Sequence, residues 1–213
     1  MRYGHVIWDF NGTLLDDTSL CLSIGNDMLL ADGRELITLS QYREWIEYPI
    51  LRYYEKLGYH FTPEEFVQVS EDYHRIYDSR RHEAGLQEGV ADVLKKLREA
   101  GITQSVLSAY HQDGLDSAVK DLGIGEYFED IIGLSDKLAH GKIENALDWL
   151  ESREIRPDTV MMVGDTLHDA EVAEALGCGC VLFSGGHNDR ERLAATGRTV
   201  IDHMGELPVL LGL

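Results

Sequence analysis

Short apolar runs that stop abruptly at a polar or glycine turn, with helical patterns between them, restrict this chain more than any other feature. Val6-Ile7-Trp8 ends at Asp9 and runs into Asn11-Gly12. Residues 103–107 end at Ser108, residues 159–163 at Gly164-Asp165, and residues 178–183 at Ser184-Gly185-Gly186. Runs of this length and composition read as buried strands feeding turns. Residues 131–134 and 199–201 are weaker candidates. Between the runs, Val90, Val93, Leu94 and Leu97 keep helical spacing and stop at Gly101; Leu115, Val119 and Leu122 stop at Gly123. Ile143, Leu147 and Leu150 form another stripe, and Val172, Ala173 and Leu176 end at Gly177, the glycine stop of a helix. Strands alternating with helices predict an α/β fold: a doubly wound, mostly parallel Rossmann-like sheet covered on both faces.

Residues 16–82 break the alternation. They hold no convincing strand, several helical patterns and a concentration of tyrosine. Thr62-Pro63-Glu64-Glu65 is a helix start, with a Thr cap, Pro in first position and Glu three residues after the cap. This segment is expected to be a helical cap domain inserted into a core built from residues 1–15 and 83–213.

With 44% hydrophobic and 27% charged residues over 213 positions, the chain has ordinary globular usage. Its 19 basic and 38 acidic residues give a net charge of −19, which repels phosphate backbones and anionic lipid. Neither nucleic acid nor a membrane is therefore an expected partner. A small anionic substrate needs local positive charge. Cys21, Cys178 and Cys180 are too few for a disulfide framework. The latter two read as small apolar residues on one strand face. No stretch approaches the ~20 apolar residues of a membrane span, and the opening apolar run is too short for a signal segment. The expectation is a cytoplasmic protein, as a monomer or homodimer.

Ligands of parallel sheets bind beyond the carboxyl ends of the strands. There the sequence sets Asp9, Asn11 and Thr13, then Ser108, then Asp165 and Asp169, with Lys142 opening the helix before the third strand. Three converging carboxylates repel one another, more so when buried. A hard divalent cation resolves this, and an oxygen cage that retains water suits Mg²⁺. Taken singly, each residue has a plainer reading: a turn or cap for the Asp and Ser positions, a solvated surface for Lys142. Lys137 is a second candidate for the ammonium. His168 reads as an exposed helix residue, since a hard cation wants oxygen.

Asp9-Phe10-Asn11-Gly12-Thr13, Ser108 after its strand, Lys142, and Gly164-Asp165-Thr166-Leu167-His168-Asp169 resemble, in content and order, the four motifs of the haloacid dehalogenase-like superfamily. The likeness spans nearly the whole chain, cap position included, and points to the phosphoglycolate phosphatase-like branch. It implies a Mg²⁺-dependent phosphatase acting on a small phosphorylated metabolite through an aspartyl-phosphate intermediate. Asp9 is then the nucleophile and a metal ligand. The Asn11 carbonyl, Asp165 and Asp169 complete the metal site. Ser108, Lys142, the Ala109 amide and Gly12 with its turn hold the phosphoryl group.

One position departs from that pattern. Phosphatases of the superfamily carry an acid–base Asp two residues after the nucleophile, where this chain has Asn11. An amide neither delivers nor takes a proton, and losing general acid–base help costs ~10²–10⁴ in rate. A slow enzyme, a substituted position, or a native task that needs no acid are all compatible. The same gap admits a phosphonatase-like C–P hydrolase using Lys56, the single lysine in residues 16–82, or a non-catalytic phosphate-binding or regulatory protein. On these grounds Asn11→Asp is expected to raise turnover. The arginines of the segment (34, 43, 52, 75, 80 and 81) are candidates to meet a substrate carboxylate.

Overall fold

A computed structural model describes residues 3–134 and 141–213. Six strands form one parallel sheet: β1 (His5–Trp8), β2 (Thr103–His111), β3 (Asp130–Leu134), β4 (Val160–Gly164), β5 (Gly179–Phe183) and β6 (Thr199–Ile201). Their order is β3-β2-β1-β4-β5-β6, every pair parallel. The chain reverses its direction of winding at β1, so the crevice between the carboxyl ends of β1 and β4 is where such a sheet binds ligands.

The two sides of β1 show why its run is uniformly apolar. Val6 and Trp8 enter one buried cluster with Leu94 and Leu97 of α5 (Val90–Glu99) and Leu115 and Val119 of α6 (Gln112–Asp121). Ile7 enters a second cluster with Trp149 of α7 (Lys142–Ser152) and Val172 and Leu176 of α8 (Leu167–Leu176). Successive side chains of a strand face opposite ways, so both faces need apolar cover. Cys178 and Cys180 join the second cluster as small apolar residues. Helix α9 (Arg190–Ala195) adds Leu193 to the second cluster, and α10 (Leu207–Leu210) adds Leu207 to the first.

Between β1 and α5 lie four helices: α1 (Thr18–Ala31), α2 (Leu39–Trp45), α3 (Leu51–Lys56) and α4 (Pro63–Arg80). The start of α4 is a full capping box, with Thr62 and Glu65 each satisfying the other's backbone N–H. A second box at Thr38 and Gln41 opens α2. Five of the segment's seven tyrosines, Tyr42, Tyr53, Tyr54, Tyr59 and Tyr77, are buried and continuous with the first cluster. Where the chain leaves and re-enters the sheet layers, Leu15 bridges Leu86, Asp16 N–H donates to Gly85 O at 2.8 Å and Gln87 N–H to Leu14 O at 2.9 Å.

One boundary differs from the sequence reading. Strand β2 continues past Ser108 to His111, because its pairing with β3 shifts register between Leu107 and His111. Ser108 thus sits in an irregular stretch of strand rather than beyond its end.

Candidate active site

Asp9 follows β1 directly and is 7% exposed. Its backbone N–H donates to Val163 O at 2.8 Å, fixing it beside β4. At the end of β4, Asp165 and Asp169 are fully buried. Oxygen atoms of Asp9, Asp165 and Asp169 lie within 4.8 Å of one another. Asp169 is held at the first turn of α8, where one carboxylate oxygen accepts from Thr166 Oγ1 at 2.8 Å and from the Thr166 and Asp165 N–H groups at 3.0 and 3.1 Å. Asp165 accepts from Thr13 Oγ1 at 2.7 Å and from His187 N–H at 2.6 Å.

Lys142 opens α7 with its side chain 3% exposed. Its ammonium pairs with Asp9 Oδ1 and, at 2.6 Å, with Asp169 Oδ1. Lys137 lies outside the described residues. The charges divide unevenly over the cluster. Burial pushes the Asp9 carboxyl well above the carboxylate range despite Lys142. Burial likewise raises Asp165 to about 6. Burial also opposes ionisation of Asp169, but Lys142 and the Thr166 donors outweigh it and hold that carboxyl below its ordinary value. One ammonium therefore compensates Asp169 more fully than Asp9 or Asp165.

Ser108 is buried and accepts from Tyr110 N–H at 3.1 Å; its hydroxyl lies 3.5 Å from Asn11 Oδ1. Ser108, Ala109, Asn11, Asp9 and Lys142 all line one cavity of about 320 Å³. Gly12 has φ +78°, and a Cβ there would overlap the Asp165 carboxylate, so only glycine fits. Gly12 is not a phosphoryl donor, however. Its N–H is committed to Asp17 Oδ1 at 2.8 Å and Leu15 O at 2.9 Å. Its part is the bend.

The side chain of Asn11 is equally committed. Its Nδ2 donates to Asp17 Oδ2 at 2.8 Å and to the Tyr77 hydroxyl at 2.6 Å, the two hydrogens an amide has. Asp17 is the hub, and sequence reasoning missed it. Fully buried, it accepts from Asn11, Gly12 N–H, the Tyr77 hydroxyl at 2.6 Å, and His187 Nε2 at 3.3 Å. His187 was missed too, although it follows Gly185-Gly186 at the end of β5, a position the sheet geometry marks. Burial disfavours its imidazolium, but Asp17, Asp165 and Asp9 raise its pKa to about 9. Its Nδ1 lies 2.9 Å from the Tyr42 hydroxyl.

Two residues singled out in the sequence are placed differently from their reading there. Lys56 pairs with Glu47 at 3.1 Å and the Trp45 carbonyl at 3.2 Å, and is not on the cavity wall. That removes the geometric basis for a Schiff base at Lys56. His168 is half-buried rather than exposed, stacked 5.0 Å from Tyr48 at the cavity wall.

The family model of the haloacid dehalogenase-like hydrolases matches residues 6–183. A phosphoglycolate phosphatase of Photobacterium profundum is 26% identical over 207 residues, covering 92% of this chain and 90% of its own. One from Synechococcus elongatus is 28% identical over 194 residues, covering 89% and 88%. A haloacid dehalogenase-like family hydrolase from Streptococcus pneumoniae superimposes with a TM-score of 0.84 at 17% identity, over 99% of each chain.

Proposed function

The chain belongs to the haloacid dehalogenase-like hydrolases, and from that membership we propose that it hydrolyses phosphate monoesters of small metabolites by way of Asp9. The observation that carries this reading is the Lys142 ammonium bridging Asp9 and Asp169 on the wall of a cavity that also holds Ser108. Residues 16–82 act as the cap over that cavity.

The donor set fits Mg²⁺. Three buried carboxylates within reach of one point, two of them with raised pKa, are an all-oxygen site short of positive charge. Asp9, Asp165, Asp169 and the Asn11 carbonyl would hold the ion. When bound, it screens the repulsion between the Asp9 carboxylate and the phosphoryl oxygens.

This chain's own residues do the rest. An Asp9 oxygen attacks phosphorus, the P–O ester bond breaks, and the alcohol oxygen departs with the bonding pair. Lys142 and Ser108 donate to the phosphoryl oxygens as charge builds. Water then attacks the aspartyl-phosphate, releasing phosphate and regenerating Asp9. Asn11 supplies no proton in either half, and both of its amide hydrogens are engaged with Asp17 and Tyr77. Turnover is therefore slow for alcohols that leave as poor alkoxides and faster for those that need little protonation.

The test is phosphate release from a panel of phosphorylated metabolites, with and without Mg²⁺. Activity should require the ion and vanish in Asp9→Asn. The ion should also raise the melting temperature of the unaltered protein by mass action. A chain that binds inorganic phosphate yet turns over nothing would instead be a phosphate-binding module.

A further inference from the structure

The cavity over Asp9 holds about 320 Å³, at the small end for ligand sites, and part of that must seat the phosphoryl group. What remains takes one ring-sized body. Its walls are Tyr48, Tyr53, Tyr54, Tyr73, Ile46 and Ile50, with the Asp9 and Asp17 carboxylates at the floor. Among the described residues, Lys142 is the sole lysine or arginine on the wall, and it is already paired with Asp9 and Asp169.

Five arginines of the helical segment are bound elsewhere, and the sixth, Arg52, is exposed and off the wall. Arg43 donates to Gly185 O at 2.8 Å, and Arg34 lies over the Tyr59 ring at 4.1 Å. Arg75 pairs with Asp72, Arg80 with Asp27 and Glu83, and Arg81 with Asp121. Of the three wall histidines, His187 is bonded to Asp17 and Tyr42, His168 lies 3.0 Å from Glu171, and His74 packs edge-on against Tyr73 and His111. A second anionic group on the substrate would thus be stripped of water against tyrosine rings and carboxylates, and among the described residues it would meet no lysine or arginine beyond the already paired Lys142. A neutral polar group does find a use. The Tyr53 hydroxyl is buried on this wall without a hydrogen-bond partner.

We infer that the alcohol released here is uncharged, carries an apolar or aromatic body of about one ring, and is preferred over carboxylate-bearing alcohols such as glycolate. This rests on the phosphatase reading above and narrows it. Aromatic walls stack on flat rings, and discrimination comes from repulsion as much as from fit.

The test uses a matched pair that differs only in charge: benzyl phosphate and 4-carboxybenzyl phosphate, with phosphoglycolate alongside. The neutral ester should show kcat/KM at least about tenfold above either carboxylated one. Equal or faster hydrolysis of a carboxylated ester overturns the inference. If no ester turns over, the phosphatase reading has failed. Calorimetry with benzylphosphonate and 4-carboxybenzylphosphonate then reads the wall directly: tighter binding of the neutral phosphonate upholds the inference, and equal or weaker binding overturns it. In the active protein, Ile50→Arg should move the ratio toward the carboxylated ester by supplying the missing cation, and an unchanged ratio counts against the wall as its cause.

Discussion

At the level of single residues, Asn11 and Asp17 change what a substitution should do. Read from sequence, Asn11→Asp restores a missing acid. In the structure it sets a carboxyl where Asn11 Nδ2 now meets Asp17 Oδ2 at 2.8 Å. Two buried carboxyls that close hold one proton between them, and that proton is bonded to Asp17 rather than offered to the leaving oxygen. We therefore expect Asn11→Asp alone to gain little on alkyl phosphates. Exchanging the pair, Asn11→Asp with Asp17→Asn, keeps the local charge and frees the acid. It should exceed the single variant by on the order of 10²-fold in kcat. Equal rates for the single and double variants would show that Asp17 does not hold the proton. Asp9, Lys142, Asp165 and Asp169 were legible as one cluster because each stands at a strand end or helix start, whereas Ser108 reaches the same cavity from within β2. Asp17 was not. It looks like the second of two linker aspartates, and its partners Tyr77 and His187 lie 60 and 170 positions away (the latter 187 − 17).

Elements were legible wherever their signals are local. The capping box at Thr62 and the left-handed Gly177 sit within a few residues of what they begin and end. The extension of β2 through Ser108 depends on a register shift against β3, which no local pattern encodes. Strand β1 carries a pH dependence of its own. His5, 2% exposed, packs 5.1 Å from Trp149, bonds Thr103 Oγ1 at 2.6 Å, and leaves Nε2 unpaired. Burial lowers its pKa to about 4, outweighing Asp130. The folded protein thus keeps His5 neutral, while the unfolded chain takes a proton below about 6.5. The stability from neutral His5 is complete above that value and falls as pH drops toward 4. Between pH 7 and 5 it should shrink by about 2 kcal/mol. Urea unfolding of the parent and of His5→Gln at both pH values checks this, with the variant losing less by about that amount.

Across the whole molecule, the sheet and the helical segment are held together by polar bonds on one side of the cavity. Arg192 of α9 donates to the Arg43 and Ile46 carbonyls, both at 2.7 Å, and Asn188 Nδ2 to Ile46 O at 3.2 Å. On the other side, Asp78 of α4 accepts from Tyr110 and faces His111 Nε2 at 3.2 Å. Arg192→Ala removes two of these bonds, one of them to the wall residue Ile46, while altering no side chain of the wall. It should raise KM several-fold, with kcat at saturation nearly kept, and speed amide exchange over residues 42–46. An unchanged KM would mean that these bonds do not govern access to the site. The net charge of −19 foretold none of this. It describes the outer surface, whereas the buried ammonium of Lys142 bears on what the interior can hold. The paired strands of chain at Leu15 and Leu86 have a different consequence, for history rather than for chemistry. The helical segment enters and leaves through one doorway, so the sheet's threading does not depend on what lies between. Such a segment can be lengthened, trimmed or exchanged over generations while the carboxylates beneath it stay in register, and a lineage can change its substrate without rebuilding its catalyst.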